Sequence, residues 1–453
     1  GLRLGSDGWF IHLYMTNRSS LKAEYHTLGC KLNFAEASTV GAMLAERGVQ
    51  RCAEGETPDV CVVNTCSVTE TADKKGRQLI KRLVRQYPEA CIIVTGCYAQ
   101  LKSTEIAAIP GVDIVVGANE KLRIATYLDS WLKQRQPILS VGDVSRDSRF
   151  EPSCERGDRT RYFLKIQDGC DYFCTYCTIP YARGRSRNGA IADLVRQARD
   201  VADAGGREIV LTGVNIGDFG RSTSESFFDL LRRLDEVEGI SRYRISSIEP
   251  NLLTPQIIEW VARGSRAFMP HFHIPLQSGS DAVLRLMNRR YDTALYADRV
   301  ATVRELLPDA FIGVDIMTGA RGETPREWEK SYRFVESLPV TRLHVFPYSE
   351  RPGTAALRLP GAVTVSREEK HRRVAQLSEL SGRKLRDFMQ RNTGRVRPVL
   401  WEHRHTSGTL QGLTDNYLRV SATATADLAN TISQVRLEAL DPDNPEMLTG
   451  TII

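Results

Sequence analysis

The chain has 453 residues, with 61 Lys and Arg against 55 Asp and Glu, and ten Cys. At 42% hydrophobic and 26% charged it has the composition of an ordinary globular protein, which excludes a disordered chain, a collagen and a small disulfide scaffold. The length predicts about three domains, no apolar run reaches the roughly 18 residues of a membrane helix, and the net charge of +6 permits a nucleic-acid partner without demanding one.

The stretch Trp9–Met15 is apolar but short, is broken by His12, and lacks a basic start and a cleavage site. It reads as an extension ahead of a start at Met15 rather than a signal peptide. A cytoplasmic, reducing location is therefore expected, where clustered Cys signal metal or catalysis.

From about Glu24 to Leu132 the pattern alternates strands and helices. Val60–Val63, Cys91–Val94 and Val112–Val116 read as strands, and Ala35–Arg47 and Ala72–Tyr87 as helices. Repeated βα units predict a parallel sheet covered on both faces. Cys30, Cys66 and Cys97 each fall where a strand gives way to a helix. In an open parallel sheet those ends share one edge, where ligands bind. Cysteines 36 and 31 residues apart can therefore converge as a cluster or metal site with one position open; the alternative is three small residues in separate tight turns. Cys61 and Cys91 read as buried strand residues, and Cys52 as a bystander.

Gln136–Arg159 carries Pro137, Gly142, Pro152 and Gly157 with little periodicity and reads as a linker, its Cys154 structural or idle. From about Tyr162 to Gln376 six strands are expected, near Phe163–Ile166, Glu208–Leu211, Tyr243–Ser247, His271–Ile274, Phe311–Ile316 and Arg342–Phe346, with helices between them. This suits a partial β/α barrel better than a doubly wound sheet. Asn215, Glu249 and Gln277 fall at the ends of successive strands, where barrels gather ligand contacts, with Ser278–Ser280 beside them.

Between Arg367 and Arg397 ten Lys and Arg face four acids, a solvated helix face or an RNA surface. From near Thr393, Val396–Leu400, Tyr417–Ser421 and Gln434–Leu440 read as strands of a small β-barrel of OB-like size. Trp401, His403 and Tyr417 there are candidates for base stacking or for the barrel core.

The sharpest signal is Cys170-Asp171-Tyr172-Phe173-Cys174-Thr175-Tyr176-Cys177, a C-x3-C-x2-C loop after the first barrel strand. Three thiolates at this spacing can hold three irons of a [4Fe-4S] cluster and leave the fourth open. A structural zinc would need a fourth protein ligand, and the loop has no histidine.

This loop resembles that of the radical S-adenosylmethionine enzymes. The likeness is closer to the methylthiotransferases and extends from about Tyr25 onward. It is carried by Thr27–Asn33, Asn64-Thr65-Cys66, Thr95-Gly96-Cys97, Tyr181–Arg187, Leu211–Asn215 and His273–Ser280. Gly29-Cys30-Lys31-Leu32-Asn33 looks most like the branch acting on threonylcarbamoyladenosine at position 37 of tRNA. The resemblance implies an α/β chain with an N-terminal flavodoxin-like parallel-sheet domain (24–135), a radical partial barrel (155–385) and a C-terminal TRAM β-barrel (390–453). It implies two [4Fe-4S] clusters: an auxiliary one on Cys30, Cys66 and Cys97, and one on Cys170, Cys174 and Cys177 that binds S-adenosylmethionine and yields a 5′-deoxyadenosyl radical. The radical would open C2 of the adenine to a methylthio group carried by the auxiliary iron.

Tyr176 matches a position that packs near the cofactor adenine; Asn215, Glu249, Gln277 and Ser278 are expected cofactor contacts. Arg183, Arg185 and Arg187 are expected against the cofactor carboxylate or RNA phosphate, and Arg395 and Arg397 in the basic run against RNA. Implied partners are the tRNA anticodon loop, an electron donor such as flavodoxin or ferredoxin, and a sulfur donor, with no membrane. The family's Gly-Phe-Pro-Gly-Glu turn reads Gly319-Ala320-Arg321-Gly322-Glu323 here, so the proline that stiffens it is missing. The rival readings are the same chemistry on isopentenyladenosine or a ribosomal-protein aspartate, a non-catalytic iron–sulfur RNA sensor, and a zinc-stabilised scaffold.

Overall fold

The structure is a computed structural model that describes residues 20–155, 160–402 and 408–453. The Trp9–Met15 stretch, Gly157, Arg159 and His403 lie outside the described residues. The chain divides into two compact units. The first takes in residues 20–155, Phe163–Asp171 and Cys177–Gly189; the second takes in residues 160–162, Tyr172–Tyr176 and Ala190–Ile453.

The first unit is built on a six-stranded, all-parallel sheet. In spatial order the strands are Gln50–Arg51, Lys22–Thr27, Val60–Thr65, Cys91–Gly96, Ile114–Val116 and Ile138–Ser140. The order begins 2-1-3-4-5, the flavodoxin-like arrangement implied by the resemblance. Val60–Thr65 and Cys91–Gly96 are buried along their whole length, as strands covered on both faces must be. One face packs Val62, Ile93, Ile114 and Leu128, and the other packs Cys61, Ile92, Ile80 and Leu83.

The expected linker is corrected at its start. Ile138–Ser140 is the last strand of this sheet, paired with Ile114–Val116. Three apolar residues between Pro137 and Gly142, Ile138, Leu139 and Val141, were too few to show a period. Gln167–Asp168 and Arg187–Asn188 form a short antiparallel ribbon that closes the base of the cysteine loop.

In the second unit the strands Glu208–Thr212 and Arg242–Ile245 pair in parallel, as do His271–His273, Phe311–Thr318 and Arg342–Pro347. A parallel bridge from Ser247 to His273 joins the two groups into one curved sheet. Helices follow the strands, and most begin with a side-chain cap: Ser226, Thr254, Ser280, Asp292 and Thr324 each accept a hydrogen bond from the first helical turn. Sequence periodicity misses the helix Thr293–Leu306, because it buries only Tyr296, Val300 and Val303.

A 26-residue helix, Arg367–Asn392, leads to a closed barrel of Val396–Trp401, Thr409–Thr414, Arg419–Thr423, Leu448–Ile452 and Ile432–Leu440. Its core reaches Phe311 of the larger barrel and Phe388 of the helix. The two barrels are joined through buried charge. Arg242 donates to the carbonyls of Leu413 and Pro398, and Arg244 to those of Thr414 and Asp415, all at 2.8 Å. Glu208 is the shared counter-ion, 2.8 Å from Arg244 Nε. Among the described residues no helix is long and apolar enough to cross a membrane.

Replacing Arg244 with Met leaves Glu208 short of its closest partner and two carbonyls unpaired. Removing one member of a buried pair costs about 3–5 kcal/mol. We expect the variant to unfold at lower denaturant and to be cut faster by protease near residue 394. Equal protease resistance would show that apolar packing alone joins the barrels.

Candidate active site

The three N-terminal cysteines stand at adjoining strand ends of the first unit. Cys30 is the N-cap of the helix Lys31–Glu46, Cys66 directly follows Val60–Thr65, and Cys97 opens the short helix Cys97–Leu101. The strands ending before Cys30 and Cys66 flank the point where the sheet order reverses, the ligand-binding place of such sheets.

The residues around the cysteines draw these ends together. Asn33 donates to the carbonyls of Leu28 (2.7 Å) and Thr65 (3.2 Å), and Asn64 donates back to the Asn33 carbonyl. Thr65 Oγ1 donates to the Thr95 carbonyl at 2.5 Å and accepts from the Ala99 amide. Two glycines permit the approach. Gly29 has φ +106, and a Cβ there would stand 2.7 Å from Cys66 Cβ; at Gly96, φ +103, it would stand 2.3 Å from the Thr65 carbonyl oxygen. Burial pushes the Cys66 thiol up to about 11, with Cys97 and Cys30 adding to the rise as like charges. Cys30 is exposed over the residue as a whole, while desolvation of its thiol still raises it, with Arg183 the largest opposing influence.

Among the described residues no three Cys, His, Asp or Glu side chains close on one point as single-ion ligands do. A four-iron cluster asks for less convergence, since each thiolate binds its own iron. Three thiols at one edge, with glycines before two of them that admit close backbone approach, suit that group.

In the second cysteine loop, Cys170 and Cys177 belong to the first unit. The Cys170 amide donates to the Gly184 carbonyl at 3.0 Å. Gly169, at φ +70, lies so close to the Arg185 carbonyl that a Cβ would stand 2.0 Å from its oxygen. Thr178, next to Cys177, donates to the carbonyl of Ser67, next to Cys66.

Cys174 belongs to the second unit. There Arg289 donates to the Cys174 sulfur at 3.1 Å and to the Tyr176 hydroxyl at 3.3 Å, and forms a buried ion pair with Glu249. Thr175 donates through its amide and hydroxyl to the carbonyls of Met287 and Leu286, and Asn288 donates to those of Tyr172 and Phe173. Phe173 takes φ +50 just before Cys174, a conformation that bulky residues avoid. The loop is thus held from the end of the helix Asp281–Leu286. Arg289 is a site residue that sequence reading passed over; its only signal is its place two residues before Tyr291, between two strand–helix units.

The strand-end residues share a rim of the larger barrel. Gln277 sits at φ +69 and bridges to Ile316; its buried Oε1 has no hydrogen-bond partner, as a group awaiting a ligand would. Ser278 is fully buried and accepts from the Ser280 amide. Asn215 caps the turn Ile216–Asp218. Glu249 reaches Arg289 rather than open solvent. On the same strands, His273 Nε2 lies 2.9 Å from Asp315, with the His344 ring 5.1 Å away, a polar pair inside the barrel that sequence reading did not single out.

The altered turn Gly319–Glu323 is braced by hydrogen bonds in place of a proline. Glu323 reaches back to accept from the Gly319 amide and is paired beneath by Arg373 at 2.6 Å. Arg373, from the basic run, is therefore structural.

Several expected basic contacts fall elsewhere. Arg183 and Arg187 are buried in ion pairs, and of their trio Arg185 alone is exposed. Arg397 lies between Asp309 and Asp415, and Arg395 pairs with Asp309. Trp401 is fully buried, with its Nε1 on Ser433, and Tyr417 stacks on His271 at 3.9 Å. These two aromatic rings pack inward and are not free platforms for bases.

Comparison with known proteins agrees with this layout. Residues 22–117 match the Uncharacterized protein family UPF0004, and residues 164–335 match the Radical SAM superfamily. The Threonylcarbamoyladenosine tRNA methylthiotransferase MtaB of Bacillus subtilis is 40% identical, covering 91% of this chain and 93% of its own. The chain belongs to the threonylcarbamoyladenosine tRNA methylthiotransferase family. The protein of that name from Aquifex aeolicus is 32% identical over 88% of this chain and 96% of its own. A tRNA-2-methylthio-N(6)-dimethylallyladenosine synthase of Clostridium botulinum is 31% identical over 83% and 85%. Among solved structures, a radical S-adenosylmethionine methyltransferase, TsrM, from Kitasatospora setae superposes with TM-score 0.54 over 72% of this chain and 73% of its own, at 12% identity; that likeness concerns the fold. Membership of the family makes this chain a radical enzyme with two [4Fe-4S] clusters and S-adenosylmethionine as cofactors.

A side chain at position 96 drives the Thr65 backbone away from its place beside Cys66. Gly96→Ala is expected to lose about four of roughly eight irons per chain on anaerobic reconstitution, while an alanine at the open Gly55 loses none. Full iron content in Gly96→Ala would mean that the strand ends need no such close approach.

Proposed function

We propose that this enzyme converts N6-threonylcarbamoyladenosine at position 37 of tRNA to its 2-methylthio derivative. The reading is carried by two sets of three cysteines, each held by its own local network, in a chain 40% identical to a threonylcarbamoyladenosine tRNA methylthiotransferase. Cys30, Cys66 and Cys97 hold the auxiliary cluster, and Cys170, Cys174 and Cys177 hold the cluster that binds S-adenosylmethionine.

The bound groups supply a 5′-deoxyadenosyl radical on reduction and a methylated sulfur for transfer to the substrate. The protein supplies position and a dry site. A C2–H of adenine has no acid–base route at neutral pH, and no side chain here is needed as a general base. Tyr176, fixed by Arg289, lies beside the cofactor adenine. Gln277, with Ser278, Asn215 and Glu249 on the same rim, orients the cofactor. The three domains run over residues 24–135, 155–385 and 390–453. The partner is the anticodon loop, and a flavodoxin or ferredoxin in the cytoplasm delivers the electron. Arg185 and the exposed Arg367, Arg372, Arg386 and Arg391 of the long helix face the RNA backbone.

The test is anaerobic turnover of the reconstituted enzyme on tRNA bearing threonylcarbamoyladenosine, with nucleosides read by mass spectrometry. Wild type should form 5′-deoxyadenosine and the methylthio nucleoside. Cys174→Ala should form neither, and Cys66→Ala deoxyadenosine alone. Deoxyadenosine without the modified nucleoside in wild type would redirect the substrate assignment.

Binding of that tRNA should weaken steeply with salt, with a log–log slope near −0.7 per phosphate contacted in a single-stranded loop. Replacing Arg386 and Arg391 together should flatten the slope by about one unit. An unchanged slope would remove the long helix from the RNA surface.

A further inference from the structure

Within the first unit, one guanidinium ties together the segments that carry the two cysteine sets. Arg183 is 2% exposed. It donates to both carboxylate oxygens of Glu36 (2.9 and 3.1 Å), to Asn33 Oδ1 (2.8 Å) and to Asp168 (3.1 Å). Asn33 and Glu36 lie on the first turns of the helix capped by Cys30; Asp168 lies two residues before Cys170, and Arg183 six after Cys177.

The surrounding charge is unbalanced. Glu36 is shared by Arg183, Lys121 and Lys165, and Asp168 by Lys165, Arg183 and Arg187. Four buried cations thus share two carboxylates. Glu151, within the influence of Lys165 and Glu36, is pushed up to about 7 by burial. The uncompensated charge stands one side chain away from the cysteine-bearing strand ends. The Asn33 amide whose Oδ1 accepts from Arg183 donates through its Nδ2 to the carbonyls of Leu28 and Thr65, the backbone that runs into Gly29-Cys30 and into Cys66. A buried net positive charge is costly unless something anionic answers it, and a cluster on three thiolates with an anionic sulfur ligand would do so.

We propose that Arg183, braced by Glu36 and Asp168, is a positioning residue that sets the reduction potential of the auxiliary cluster and the affinity of its open iron for anionic sulfur. The proposal rests on the reading that Cys30, Cys66 and Cys97 hold that cluster. Net charge and hydrogen bonds near a cluster are the protein's means of tuning it.

The test uses the full chain with Cys170, Cys174 and Cys177 changed to Ala, so that only the auxiliary cluster loads. The midpoint potential is measured by EPR-monitored titration, and hydrosulfide is the probe of the open iron. Adding Arg183→Gln should move the potential to more negative values and weaken hydrosulfide binding about tenfold or more, as expected for loss of a charge-assisted contact. Arg183→Lys should restore part of both. Adding Glu36→Gln instead removes the opposing carboxylate and should move the potential the other way.

Potentials unchanged in both, or shifted in the same direction as general loosening would do, overturn the proposal. If Arg183→Gln fails to keep its iron, the sign of the Glu36→Gln shift decides alone. If the parent variant loads no iron at all, the auxiliary-site reading fails and the proposal falls with it, an outcome distinct from a loaded cluster that ignores Arg183.

Discussion

The arrangement depends on answering buried charge. A cluster on cysteines asks a protein to gather negative sulfurs in a place from which water is excluded, and an uncompensated charge there costs several kcal/mol. This chain meets the requirement in the same way at both cysteine sets. Arg183 donates to Asn33, beside the thiols of the parallel sheet, and is held by Glu36, and Arg289 donates to Cys174 and is held by Glu249. Each guanidinium is fixed by a carboxylate, so its fork is aimed before any cluster arrives. Arg suits this use better than Lys because its donors are planar and fixed in direction.

The second requirement is that strand ends approach closely, and it explains the sequence around each cysteine. A glycine precedes Cys30, Cys97 and Cys170. In each case φ is positive and a Cβ would meet a neighbour at 2.7 Å or less. Asn33, Asn64 and Thr65 are hydrogen-bonded across those strand ends. The stretches that resemble the methylthiotransferases are therefore two kinds of residue interleaved: the thiol donors, and the small or amide residues that let the backbone bring them close.

Much of this was legible in the residues. The alternation of strands and helices, the placing of Cys30, Cys66 and Cys97 at strand ends and the partial barrel follow from periodicities that burial enforces, whereas the flavodoxin-like sheet came with the family resemblance. What could not be read was the destination of charge. Arg183, Arg187, Arg373 and Arg397 look in sequence like a cationic surface, yet each is enclosed by carboxylates from distant segments: Glu36, Asp168, Glu323, Asp309 and Asp415. A guanidinium's partner is set by tertiary packing, so local sequence cannot separate a phosphate contact from a structural pair. Ile138–Ser140 escaped for a different reason, being an edge strand too short to display a period.

The same distinction bears on how the C-terminal barrel serves the enzyme. Its own surface residues are not an excess of cations, and its two described candidate stacking rings point inward. Arg242 and Arg244 instead fasten it by donating to backbone carbonyls, a contact that leaves its side chains free to vary. The long helix before it is half structural, through Arg373 and Lys384, and half exposed, through Arg386 and Arg391. Arg373 fixes the Gly319–Glu323 turn and Lys384 donates to the carbonyls of Glu336 and Leu338, while Arg386 and Arg391 stay on the surface. Under the proposed function, a polyanion would meet these cations on a helix tied by ion pairs and carbonyl contacts to its own unit rather than on a tethered arm.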